Sequence, residues 1–175
     1  MDKTSFYNLI GFYPHIEELI SLTDSLDPAE WGKFTYRQKT IVGHKQTLTI
    51  PLVFDYAKKS RNITHKNYEI FKDHLALISD IILASNYPGE IKRANIVCLL
   101  PNSEISPHMD KGDFLQKTRR IHLPIHTNSD CHFVVGGIKQ RFGVGEMWEI
   151  NNTGQVHSVH NLGDYRRIHL VVDVG

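Results

Sequence analysis

Cys131-His-Phe-Val-Val-Gly-Gly-Ile-Lys-Gln-Arg-Phe-Gly-Val-Gly-Glu-Met-Trp-Glu-Ile150 reads as three short strands divided by glycines. Gly136-Gly137 has the form of a two-residue hairpin turn, whose central residues need positive φ and so favour glycine. Gly143-Val144-Gly145 reads as the next loop. Outward from this stretch the texture continues, with β-branched or alternating runs at Ala94 to Leu100, Ile121 to Thr127, Val156 to His160 and Arg167 to Val174. With Cys131 to Val135, Ile138 to Phe142 and Met147 to Ile150 they make about seven strands with turns every ~8–12 residues, the pattern of a sandwich or jelly roll.

The first ninety residues read differently. Pro14 can open a helix, and His15 to Leu26 carries Ile16, Leu19, Ile20 and Leu22 at helical spacing. Gln46 to Phe54 predicts a strand with Leu48, Ile50, Leu52 and Phe54 on one face, and Pro51 points to an edge or a bulge. Thr64 is the expected N-cap of a longer helix through Ser85, with an apolar face of Tyr68, Phe71, Leu75, Ile78 and Ile82. The expected architecture is therefore α+β and mainly β, with N-terminal helices packed on one sheet.

The 175 residues carry 41% hydrophobic side chains and a net charge of +1. That balance disfavours a nucleic-acid binder, which works through a basic excess. No apolar run approaches the ~20 residues of a membrane span, and the N-terminus lacks a signal-peptide layout. A cytoplasmic protein with Cys98 and Cys131 as reduced core residues is expected. Eleven histidines are the unusual count, and seven of them lie between residues 108 and 169.

In Pro107-His108-Met109-Asp110 an extended backbone turns residues i and i+2 to one side, so an imidazole and a carboxylate can address one point. A third ligand must come from elsewhere, and His157 in Val156-His157-Ser158-Val159-His160 is the leading candidate. Two histidines and one carboxylate with open opposite positions is the arrangement of non-haem Fe(II) oxygenases. Ten residues later Arg167 opens an apolar strand, where an inward guanidinium needs a bidentate anion. If His157 and Arg167 lay on adjacent antiparallel strands, a dicarboxylate such as 2-oxoglutarate could chelate the metal and pair with Arg167. In Arg119-Arg120-Ile121-His122-Leu123-Pro124-Ile125-His126, Arg120, His122 and Pro124 share one face, suggesting that one sheet face lines an anion-binding pocket. His126 and His132 read as structural, and His44, His160 and His169 as further candidates for contact with the site.

The run Asn95 to Asp110, then Arg120-Ile-His-Leu-Pro124, Gly145-Glu-Met-Trp-Glu-Ile-Asn-Asn152, His157-Ser-Val-His-Asn161 and Arg167 to Asp173 resembles the aspartyl/asparaginyl β-hydroxylase family. The resemblance implies a double-stranded β-helix, a cupin-like jelly roll, that binds Fe(II) and 2-oxoglutarate. It implies His108, Asp110 and His157 as metal-binding and catalytic residues, and Arg167 as the partner of the distal carboxylate of 2-oxoglutarate. Arg120 and His122 match the family's Arg-x-His that helps hold the co-substrate. One domain over 1–175 is implied, with 1–90 as helix-rich support and 91–175 as the core carrying the metal site. The expected reaction uses O2 to hydroxylate an amino acid, or an aspartyl or asparaginyl residue of a peptide or protein, and releases succinate and CO2. The alternatives are a hydroxylase of free proline or a similar amino acid, and a cupin-like metal-dependent isomerase or binding protein. Lys111-Gly112-Asp113-Phe114-Leu115 is expected to be a mobile loop, and the Lys111 to Lys117 loop is expected to close the pocket.

Overall fold

The computed structural model describes residues 5–40, 42–55 and 63–175. In chain order it runs β1 (Tyr7–Phe12), α1 (Ile16–Asp24), α2 (Glu30–Lys33), α3 (Tyr36–Thr40), a 3-10 turn (Val42–His44), β2 (Thr47–Phe54), β3 (Ile63–Thr64) and α4 (Tyr68–Leu83). It continues with β4 (Ile91–Leu99), β5 (Ser103–His108), α5 (Asp113–Gln116), β6 (Arg119–His126), β7 (Cys131–Val135), β8 (Ile138–Gln140), β9 (Glu146–Ile150), β10 (His157–Asn161) and β11 (Arg167–Val174). Two antiparallel sheets result among the described residues, a larger one ordered β1-β9-β6-β11-β4-β2-β3 and a smaller one ordered β5-β10-β7-β8. This is the double-stranded β-helix, and the first ninety residues add three strands to its larger sheet.

The central strands of the larger sheet sort their residues by parity, because side chains alternate across a strand. Ala94, Ile96 and Cys98, with Ile121, Leu123 and Ile125 and with Ile168, Leu170, Val172 and Val174, form one apolar face buried with α1 and α4. From α4 come Phe71, Leu75, Ile78 and Ile82, all buried, at the spacing of a single helical stripe. Each such side chain contributes roughly 1.5–3 kcal/mol by leaving water. The opposite parity faces the smaller sheet. There Leu99, Ile105, Phe133, Val135, Phe142, Ile150 and Val159 close one end with a second apolar cluster.

Several expectations change in detail. Thr64 does not cap α4, because its backbone is drawn into the ladder opposite Val53. The helix starts at Tyr68 after Asn67, whose amide instead donates to Glu30 Oε2 at 3.2 Å. Proline 51 marks a register shift between Pro51 and Val53 on β2, one strand in from the edge. A one-residue slip reverses which face a side chain meets. Leu48, Ile50 and Leu52 therefore join the helix-packed core while Phe54 turns to the cavity wall. Gly136 and Gly137 make the expected turn between β7 and β8, with φ of 57° and 83°. Cys98 and Cys131 are buried and unpaired with each other. No helix among the described residues is long and apolar enough to cross a membrane.

Pro101-Asn102 forms a turn that leads into β5 at Ser103. Pro107 lies where the β5–β10 register shifts, a place where its missing N–H costs no ladder bond.

Candidate functional site

The β5–β10 ladder makes His108 and His157 direct cross-strand partners, with ring centroids 4.2 Å apart. Asp110 follows two residues after β5, and its backbone N–H donates to Asn152 O at 2.9 Å. One ligand atom from each of His108, Asp110 and His157 lies within 4.8 Å of the other two, so the three could share one metal ion.

Neighbouring groups orient these donors. His108 Nδ1 is 2.8 Å from Ser106 O, and because a carbonyl only accepts, Nδ1 carries the proton and Nε2 keeps its lone pair. His157 Nδ1 faces Gln155 O at 3.5 Å in the same sense. Asp110 Oδ2 accepts from Arg120 at 2.5 Å and from Asn152 Nδ2 at 2.7 Å. Its other oxygen, Oδ1, faces His108 Nε2 at 3.6 Å. Burial pushes the Asp110 carboxyl up, but Arg120, Asn152, His157 and His108 outweigh it and hold the group at about 2. Burial lowers His157 to about 4, so at neutral pH its ring is a neutral ligand. The donor set, two imidazoles and a carboxylate, fits a divalent first-row metal.

Across from this triad stands the inner face of the larger sheet. A cavity of about 150 Å³ lies between the sheets, and its wall includes His108, Asp110, His157, Arg120, His122 and Arg167. Arg167 and His157 do not lie on adjacent strands. β11 pairs with β4 and β6, β10 with β5 and β7, so the two residues face each other across the sheets. In the jelly roll β9, β10 and β11 alternate between the two sheets, and spacing along the chain cannot report that.

Arg167 is 3% exposed, and its guanidinium donates to His169 Nδ1 at 2.8 Å and lies 4.7 Å from the centre of the Phe133 ring. No carboxylate among the described residues pairs with it, and burial pulls its pKa down to about 9. Its neighbour Arg166 is exposed. His122 is buried with both ring nitrogens unpartnered among the described residues, and burial, then Arg167, drives its pKa well below the usual range. Arg120 also reaches the wall, but its guanidinium is engaged by Asp110 and by both carboxylate oxygens of Asp173, at 2.8 and 3.2 Å. Those carboxylates raise its pKa against the desolvation of burial.

A model of the aspartyl/asparaginyl β-hydroxylase family matches residues 21–175. The chain belongs to that family. It is an oxidoreductase, an Fe(II)- and 2-oxoglutarate-dependent hydroxylase. Two solved structures share its fold. A 2OG-Fe(II) oxygenase family oxidoreductase from Burkholderia pseudomallei superposes with a TM-score of 0.67 at 15% identity, covering 97% of this chain and 84% of that one. The non-haem monooxygenase ThoJ, in its nickel complex, gives 0.55 at 14% identity, covering 98% and 74%.

Within this hydroxylase the outlying histidines divide. His44 lines the cavity, its ring 6.2 Å from that of His108. His169 holds Arg167. His126 binds Asp24 at 2.9 Å, and His132 stacks on His160 at 4.8 Å, none of the three lining the cavity. Residues that the sequence did not single out are Arg37, Arg93 and Asn95 in the wall, and Asn152 beside Asp110. Asn95 was readable as the opposite parity of the β4 core run. Arg37, on a five-residue helix, carries no periodic signal.

Proposed function

We propose that His108, Asp110 and His157 bind the ferrous ion and that Arg167 binds the distal carboxylate of 2-oxoglutarate. The substrate in this reading is an amino acid, or an aspartyl or asparaginyl residue, hydroxylated at an unactivated C–H. The observation that carries it is Arg167, a guanidinium buried across the cavity from the triad without a carboxylate of its own. A cupin-like isomerase would use the triad but has no need of that charge. When bound, Fe(II) and 2-oxoglutarate supply the oxidation, in which O2 is consumed, 2-oxoglutarate loses CO2 to become succinate, and one oxygen atom enters the substrate C–H.

The chain's own residues bind, orient and exclude. His108 and His157 present Nε2 because their Nδ1 protons are directed at backbone carbonyls. Asp110 presents Oδ1 because Arg120 and Asn152 occupy Oδ2. Arg120 thus serves the co-substrate side through Asp110, and Asp173 fixes its direction. The unpartnered nitrogens of His122 supply a hydrogen bond to the co-substrate along the same wall. Ile105, Phe133, Ile150 and Val159 keep bulk water from the inner end, which strengthens the pairing of Arg167 with an anion.

The test is a screen for a +16 Da product across free amino acids, proline included, and across peptides containing Asp or Asn. Protein is loaded with Fe(II) anaerobically and then exposed to O2 with 2-oxoglutarate. Succinate should form with iron and vanish without it. His108→Ala and His157→Ala should each abolish iron binding, and retention of stoichiometric iron by either variant refutes the ligand set.

A further inference from the structure

Arg37, on α3, lines the same cavity. Its guanidinium NH2 is 3.2 Å from His44 Nε2, and no carboxylate among the described residues pairs with it. The nearby Asp110 and Asp173 are both engaged by Arg120. Burial, followed by repulsion from Arg120, lowers the Arg37 pKa to about 10. His44 is buried and packed edge-on against His108, so the Arg37–His44 pair stands beside the triad. A second unsatisfied group shares the wall. Asn95 is buried, and its Oδ1 has no hydrogen-bond partner among the described residues.

2-Oxoglutarate cannot satisfy these groups in the reading given above. One of its carboxylates goes to the metal end and the other to Arg167, which leaves none for Arg37. A half-buried guanidinium in a cavity wall draws an anion, and an orphaned carbonyl oxygen requires a donor. We propose that Arg37 is the anchor for a carboxylate on the substrate and that Asn95 Oδ1 accepts an N–H a few bonds away from it. The substrate is then a free α-amino acid or an aspartyl residue, and an asparaginyl residue, whose side chain is a neutral carboxamide, is rejected. His44 acts as a positioning residue that accepts from Arg37 and holds its fork toward the cavity.

This inference rests on the iron and 2-oxoglutarate reading, and the experiment separates the two. Protein loaded anaerobically with Mn(II) and 2-oxoglutarate is melted with free L-amino acids, with their C-terminal amides, and with doubly capped peptides bearing a central Asp or Asn. Carboxylate probes should raise the melting temperature, and removing the carboxylate should remove the effect. An effect confined to free amino acids assigns the α-carboxylate to Arg37, and an effect of the capped Asp peptide assigns the side-chain carboxylate. Either supports the proposal. Arg37→Met should weaken the best probe about 10- to 100-fold, the range for a lost charge-assisted hydrogen bond. Arg37→Lys should restore part of that loss, and both variants should keep the stabilisation by Mn(II) and 2-oxoglutarate. Equal binding of acid and amide, unchanged probe affinity in Arg37→Met, or no response to any carboxylate overturns the assignment. Failure of Mn(II) and 2-oxoglutarate to stabilise the unaltered protein overturns the underlying reading as well.

Discussion

Replacing Arg167 with methionine should separate stability from co-substrate binding, with opposite signs. The guanidinium is 3% exposed, and burial pulls its pKa down to about 9. At about 1.4 kcal/mol per unit, keeping it charged costs the folded protein roughly 5 kcal/mol. Because the folded value is the lower one, this cost is fully present at every pH below about 9 and is relieved only above it. Methionine has a similar length and no charge, so it removes the cost. Loss of the bond to His169 Nδ1 gives back about 1–3 kcal/mol. The variant without ligands should therefore melt at or above the temperature of the unaltered protein. Truncating a buried charge pair costs about 2 kcal/mol or more in binding, so 2-oxoglutarate affinity should fall by at least about 30-fold. The assay is anaerobic melting with Mn(II) and increasing 2-oxoglutarate. At one hundred times its dissociation constant the ligand adds about 2.7 kcal/mol, a rise of roughly 5–10 °C for a domain of this size. The variant should show little of that rise at the same concentration. A variant that loses stability yet responds to 2-oxoglutarate as before would show that Arg167 is a packing residue, and the reasoning fails.

Three further outcomes are expected. Arg120→Gln strands the buried carboxylate of Asp173, so the melt should fall by an amount corresponding to about 3–5 kcal/mol, with metal affinity about 10- to 100-fold weaker as Asp110 loses its support; a metal titration matching the unaltered protein counts against this role. His122 and His169 are buried neutral, with pKa values driven well below normal by desolvation and, next, by Arg167. The unfolded chain gains protons below about pH 6.5 and the folded chain does not, so stability falls as pH drops, by up to about 1.4 kcal/mol per pH unit per histidine. Urea melts of metal-free protein between pH 7 and 5 read the slope, which His122→Phe should make shallower. Removing Lys111 to Lys117, which carries Leu115 of the cavity wall and Phe114 stacked 3.6 Å from the Arg93 guanidinium, should raise 2-oxoglutarate turnover without hydroxylated product; unchanged coupling argues against a closing role.

The sequence by itself determined β2, β4 and β6 to β11, the amphipathic stripe of α4 and the odd polar parity of β6 and β11, because all of these are written in periodicity along one element, whereas β1, β3 and β5 carry too short or too mixed a pattern. It also determined the His-x-Asp pair, since two residues on an extended segment necessarily share a side. Only the tertiary structure decided which strand faces which. Sheet pairing made His157 the cross-strand partner of His108, put Arg167 on the opposing sheet, and spent Arg120 on Asp110 and Asp173. It also took Thr64 from a helix cap into a ladder, turned Phe54 inward through the bulge after Pro51, and brought Arg37 and His44 to a cavity whose proposed metal ligands lie more than sixty residues further along. The physical reason is common to all of these. Local preferences depend on backbone geometry over a few residues, whereas a pocket is made by the closure of two sheets. The burial of apolar surface over the whole chain drives that closure, and no short window of sequence contains it.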